Sequence, residues 1–238
     1  MRALSSLSKI AEEIYDKRIV TIDTSAPVAL KLHSEDPGEP ASPIFFNFRT
    51  KDNPRPGLLD EKLLSQIALW MVSAVHVAGI PYDAIAGIPR AGEPIAKAFG
   101  ARLAREFNRD VQNITMQKEE WEGDRRGITK ILDRGGAPEG ARVLLIDDVV
   151  SRGDTKADPI QLLHKEGFKI AGVAVIMDRE QGGKEFLEHL GCPLVAVFRM
   201  RRFLEQLHRS GRVTMPQVYA VEKYRKEAKA SALIKIAG

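Results

Sequence analysis

Cysteine is almost absent from this chain: Cys192 stands alone among 238 residues. A single thiol excludes an internal disulfide and fits a reducing compartment, so a cytoplasmic protein is expected. Long apolar runs are missing as well. No stretch approaches the roughly 18–20 uninterrupted apolar residues that a spanning helix requires, so no membrane association is expected. The opening segment MRALSSLSKIAEEIYDKR lacks an apolar centre and reads as an amphipathic helix, not a signal peptide. Charge of one sign is not concentrated either. The formal net charge is +4 and the pI about 9.1. The cations are scattered, which gives little reason to expect nucleic acid as a partner. The basic stretch Lys223–Lys235 reads first as a solvated helix. No internal repeat is visible.

The length suffices for one large α/β domain, residues 1–238, with a substantial core. Within it, residues 1–57 hold a first helix around Ala11–Tyr15, a short strand at Ile19–Ile22, a Pro-rich loop at 34–43 and an aromatic-rich strand at Pro43–Arg49. Residues 58–200 alternate helices and strands. Leu63, Ile67, Met71, Ala74 and Val75 recur at helical spacing, and Gly79 with Pro81 stops that helix. Strands are expected at Tyr82–Ala86, Val143–Ile146, Ile170–Met177 and Leu194–Phe198. Helices are expected from about Pro94 to Phe107, from near Thr155 to Glu166, and around Lys184–Leu190. Residues 117–140 are polar, with no clear period. Residues 201–238 form a C-terminal helical segment. Strand, helix and strand in alternation predict a mostly parallel sheet flanked by helices.

The segment VLLIDDVVSRGDT (Val143–Thr155) concentrates the chemistry. Four apolar residues without polar alternation suit a strand buried on both faces of a parallel sheet. Such a strand delivers the residues after it to the carboxyl edge, where open α/β folds bind ligands. Here those residues are Asp147–Asp148 and then a turn of small residues at a helix start. Unpaired N–H groups and a positive dipole end suit a phosphate. Adjacent carboxylates suit ribose hydroxyls or a hydrated metal ion, so the ligand implied is a sugar phosphate.

This string closely resembles the phosphoribosyl pyrophosphate (PRPP) signature of the type I phosphoribosyltransferases: four hydrophobics, an acidic pair and a T-x-G-G-T-like loop. Ser151 stands for the first Thr, Arg152 is in the variable position, and Asp154 replaces a frequent second Gly. Three further segments resemble the orotate phosphoribosyltransferases in order. AGIPRAG (Ala86–Gly92) resembles the pyrophosphate loop, SPIFFNFR (Ser42–Arg49) the N-terminal hood, and IMDREQGG (Ile176–Gly183) the D-R-Q-E-x-G segment, with Glu180 and Gln181 transposed. Leu30–Lys31 resembles the L-K-S-G element, farther upstream of the hood than in the family pattern.

The resemblance implies a type I phosphoribosyltransferase fold with a small hood. It also implies transfer of the phosphoribosyl group of PRPP to orotate, giving orotidine 5′-monophosphate and pyrophosphate. Asp147 and Asp148 would grip the ribose hydroxyls. Val150, Ser151, Arg152, Gly153, Asp154 and Thr155 would hold the 5′-phosphate, and Arg90 would attend the pyrophosphate. Arg179 would pair with the orotate carboxylate, with Phe45 and Phe46 closing over the base and Lys31 approaching it. Mg²⁺ would be held mainly by PRPP's own oxygens and not by a protein cage. The partners implied are PRPP, orotate, pyrophosphate and a second copy of the chain, the two copies sharing active sites.

The family's catalytic loop, R-K-x-x-K-x-H-G, reads QKEEWEGDRRG here (Gln117–Gly127). Lys118 keeps one lysine, Gln117 replaces the arginine, Trp121 falls at the second lysine and Gly123 at the histidine. Lys118 is then the expected loop catalyst, acting in the partner's site from a mobile lid, with Arg125 and Arg126 as nearby substitutes. Two other readings stay open: a transferase for a different base, and a PRPP-binding regulator with little turnover.

Overall fold

The computed structural model describes residues 6–28, 41–120 and 126–237. The chain opens with α1 (Leu7–Asp16), capped by Ser6, whose Oγ accepts the Lys9 N–H at 3.3 Å. Strands β1 (Val20–Ile22) and β2 (Ile44–Phe46) pair antiparallel as a separate two-stranded ribbon, Val20 opposite Phe46 and Ile22 opposite Ile44. Helix α2 (Glu61–Val77) starts at Asp60, whose carboxylate accepts the Leu63 N–H at 2.9 Å. Its buried residues Leu63, Ile67, Met71 and Val75 recur every fourth position, so one stripe faces the core.

The remaining elements are β3 (Ala84–Gly87), α3 (Gly92–Phe107), β4 (Gln112–Glu120), β5 (Arg126–Asp133), β6 (Arg142–Val150), α4 (Ala157–Lys165), β7 (Lys169–Asp178), α5 (Gly183–His189), β8 (Leu194–Arg199), α6 (Met200–Arg209) and α7 (Met215–Ala237). Six strands form one sheet in the order β5-β4-β3-β6-β7-β8. Every neighbouring pair is parallel except β4–β5.

Side-chain alternation along the central strands divides the core between the two faces of the sheet. Leu144 and Ile146 of β6 pack with Ile85, Ala174 and Ile176 under helices α1, α2, α3 and α6. Val143 and Leu145 pack with Ala84, Ala86, Val173 and Val175 against α4 and α5. Helices on both faces explain why Val143–Ile146 is apolar throughout. Among the described residues no helix is long and apolar enough to cross a membrane.

Two local expectations need correction. The stretch read as polar and without period is largely an antiparallel hairpin, β4–β5, with Gln117 opposite Lys130 and Lys118 opposite Ile128. Register shifts flank Met116 and Gln117. A bulged strand pair at the margin of a sheet breaks the simple two-residue alternation by which a strand is recognised. The lid expected over 117–127 therefore begins and ends in strand. The second correction concerns the turn after β6. A single 3₁₀ turn (Asp154–Lys156) intervenes, and α4 begins only at Ala157.

Candidate active site

The sequence motifs converge at the carboxyl edges of β3, β6 and β7. Strand β6 runs on through the aspartates to Val150. Asp147 is only 6% exposed. Its Oδ1 accepts the Asp148 N–H at 2.9 Å, and its Oδ2 accepts from the Lys156 ammonium. Lys156, 4% exposed, also donates to the Val149 carbonyl at 3.1 Å. Asp148 is partly buried and accepts the Val149 N–H at 2.7 Å. Burial and the adjacent Asp147 charge push its carboxyl up to about 7, with Lys156 acting the other way.

After β6 the chain turns over Ser151–Thr155. Gly153 sits at φ +91°, and a Cβ there would come 2.8 Å from the Phe186 ring, so the turn requires glycine. The loop leans on the start of α5, where the Gly183 N–H donates to the Ser151 carbonyl at 2.8 Å. Thr155 is exposed, whereas Val150 and Arg152 are buried. The Val150 side chain belongs to the core, which leaves it no side-chain role toward a ligand.

The glycine loop after β3 lies against β6 with bare backbone. The Ile88 N–H donates to the Ile146 carbonyl at 2.8 Å, and a Cβ on Gly92 would sit 2.3 Å from the same oxygen. Arg90 is exposed at the tip. Lys118, half-buried on β4, points its Nζ at the Pro89 carbonyl, 3.5 Å away. The expected lysine thus reaches the glycine loop of its own chain.

On the other side of β6, the Arg179 N–H donates to the Val150 carbonyl at 2.9 Å, joining the end of β7 to the aspartate strand. The Arg179 side chain is buried. Its Nη2 donates to Ser42 Oγ at 2.9 Å, and its Cζ lies 5.5 Å from the Phe46 ring centroid. Nε has no hydrogen-bond partner. Burial pulls the guanidinium below its ordinary value. Phe46 therefore lies beside Arg179. Strand alternation sends Phe45, opposite Thr21, to the other face of the ribbon. The transposed pair also separates. Glu180, at φ +52°, accepts the Arg201 N–H at 2.8 Å at the start of α6, whereas Gln181 is buried.

Lys31, Trp121, Gly123 and Arg125 lie outside the described residues, as do the side chains of Arg126 and Asp154. Sequence reasoning missed Lys156 and gave Ser42 no role. No motif marks the lysine, and the serine stood in view at the head of the hood segment. Among the described residues no three His, Cys, Asp or Glu side chains gather to hold a metal. Asp147 is already engaged by Lys156, so the donors here fit Mg²⁺ only as the companion of a polyphosphate that carries most of its ligands. A cleft of about 240 Å³ beside the glycine loop is lined by Gly87, Glu93, Lys97 and Thr115. A groove of about 510 Å³ between α1, β8 and α6 touches none of the residues above.

Residues 58–190 match the family described as phosphoribosyl transferase domain. An orotate phosphoribosyltransferase of Pseudomonas aeruginosa is 30% identical over 192 residues, covering 77% of this chain and 84% of the relative. The solved structure of Leishmania donovani UMP synthase is similar with a TM-score of 0.71 at 26% identity. It covers 94% of this chain, which spans 43% of that one. The orotate phosphoribosyltransferase from Aeropyrum pernix shares the fold, with a TM-score of 0.61 at 22% identity over 85% of this chain and 99% of that chain.

Proposed function

The chain belongs to the phosphoribosyl transferase family, and from that premise we propose that it transfers the phosphoribosyl group of PRPP to orotate, forming orotidine 5′-monophosphate and pyrophosphate. The observation that carries this reading is Arg179. It holds a guanidinium in a dry, aromatic-lined position one backbone hydrogen bond from the aspartate strand, with a donor to spare. A planar fork of N–H groups in such a place suits a carboxylate on a flat base, the group that distinguishes orotate from uracil and the purines.

The Asp148 carboxylate accepts hydrogen bonds from the ribose hydroxyls, and Lys156 keeps Asp147 in place beside it. Backbone N–H groups of 151–155 and the Thr155 hydroxyl receive the 5′-phosphate. Arg90 and Lys118, both at the glycine loop, face the pyrophosphate. As the C1′–oxygen bond breaks, pyrophosphate leaves with the electron pair, orotate N1 forms the new bond to C1′, and the N1 proton passes to the departing pyrophosphate or to water. Positive charge on the ribose and negative charge on the leaving group grow together. Catalysis is therefore mainly positioning and charge stabilisation. Mg²⁺, bound through PRPP, supplies charge neutralisation at the pyrophosphate. Lys31 approaches the base from the hood. Two chains pair with two-fold symmetry, the β4–β5 hairpin reaching toward the partner, in the cytoplasm.

Turnover of PRPP with orotate, uracil, adenine and hypoxanthine tests the assignment. Orotate should be preferred by a wide margin. Comparable rates with uracil or a purine would point to a different base. PRPP binding without turnover of any base would make the chain a regulator, a reading that Trp121 and Gly123 at the family's lysine and histidine positions favour.

A further inference from the structure

Helix α7 does not simply finish the core. Val221 joins it, but Tyr224, Ala228 and Ala232 are buried outside both core layers. Tyr224 and Ala232 cover the segment directly after β7. The Arg225 Nη1 donates to the Glu180 carbonyl at 3.4 Å, and Lys229 pairs with Glu185. A Cβ on Gly182 would meet the Ala232 methyl at 2.8 Å. The helix is thus clamped along the D-R-E-Q-G-G loop.

Tyr224, 4% exposed, brings its ring centroid to 5.7 Å from the Arg179 Cζ. Phe46 stands 5.5 Å from the same carbon, so hood and C-terminal helix both present an aromatic ring to one guanidinium. Cations within about 6 Å of such centroids are attracted by the ring quadrupole. Burial pulls the Arg179 guanidinium down, and the Tyr224 hydroxyl beside it acts the other way. Ser42 takes Nη2, yet Nε remains buried without an acceptor. A buried donor left over beside two rings and a hydroxyl is a place for a ligand oxygen.

We propose that Tyr224 is a positioning residue for the base: it fixes the Arg179 guanidinium, making α7 one wall of the site that takes a planar, carboxylated acceptor. This rests on the orotate reading of Arg179. The rings restrain the guanidinium while Ser42 holds one end of its fork, so the remaining N–H groups meet the carboxylate without first being ordered. Selectivity for the acceptor then depends on a helix that begins well beyond the last strand of the sheet.

The test uses the full chain with Tyr224→Phe and Tyr224→Leu, each assayed for kcat and for the KM of orotate and of PRPP. Wild-type turnover of orotate is measured first, and its absence refutes the orotate reading by itself. Given that turnover, Tyr224→Phe keeps the ring and loses the hydroxyl, and should raise the orotate KM about tenfold. Tyr224→Leu loses both and should raise it further, to about fifty-fold. The PRPP KM should stay within about twofold in both. Should Tyr224→Leu fail to fold, Tyr224→Phe decides alone. An unmoved orotate KM, or a parallel rise in both KM values, would overturn the positioning role.

Discussion

Lys156 and Asp147 form a buried ion pair that ties the 3₁₀ turn Asp154–Lys156 back to strand β6, with both side chains less than a tenth exposed. The lysine shares its protons with the Val149 carbonyl, so the carboxylate, the strand and the turn are held through one ammonium group. Removing one partner of a buried pair leaves the other charge without compensation, commonly a cost of roughly 3–5 kcal/mol. Lys156→Met should therefore lower stability by an amount in that range in urea unfolding. Adding Asp147→Asn should restore much of it. Losses that simply add in the double variant would mean that the two groups are not coupled.

Asp148 ties acidity to stability and binding together. Its carboxyl is raised from 3.8 to about 7, so the folded chain holds this proton more tightly than the unfolded chain does. Between those values the folded state binds more protons, and the stability contributed by this group falls as pH rises toward 7. Above about 7 that contribution is lost. Asp148→Asn should accordingly raise the Tm at pH 8. The same variant should lower PRPP affinity or turnover at least about tenfold, since a charge-assisted hydrogen bond contributes roughly 1.5–3 kcal/mol. A Tm below wild type at pH 8 would show that the carboxylate is not a strained group.

In the wild-type chain, kcat/KM for PRPP should drop about tenfold per pH unit below about 7, because only the ionised Asp148 accepts from both ribose hydroxyls. A flat profile between pH 5.5 and 7.5, with PRPP unsaturating, counts against that role.

Arg179→Lys keeps a charge but discards the fork. The orotate KM should rise at least about tenfold while PRPP binding changes little. Titration calorimetry with PRPP alone separates this from general damage to the site, which would weaken both ligands.

Lys118 lies against Pro89 of its own chain, which changes what a mixing experiment should give. Lys118→Ala should lower kcat more than it weakens PRPP binding. Combined with Asp148→Asn chains, it should recover no activity, because each heterodimer site would still carry one defect. Recovery to one active site per heterodimer would place the lysine in the neighbour's site.

Strand β6 was legible because both of its faces are packed: Val143–Ile146 could not alternate with polar residues. The aspartates, Gly153 and Arg179 were legible because short-range patterns carry them. The β4–β5 hairpin was not. Its bulges break the period, and Gln117–Glu120 resembles an ordinary polar connection. Lys156 gave no signal, because its meaning is a contact made when a 3₁₀ turn folds back on β6. Tyr224 gave none either, since it meets Arg179 across 45 positions of sequence. Phe45 and Phe46 look equivalent in sequence, and only strand alternation separates them.

The backbone seam between the glycine loop and β6 has a consequence for how such a chain can diverge. With no side chain between Gly92 and the Ile146 carbonyl, the offset between the loops after β3 and β6 follows from the strand spacing, about 4.8 Å. It works as a fixed gauge for the anionic donor, and no single rotamer change can reset it. The acceptor end is framed instead by the hood ribbon and α7, two peripheral elements that can be altered without disturbing the sheet. Donor choice is thereby rigid and acceptor choice tunable, so a lineage can exchange one base for another while keeping the same sugar phosphate.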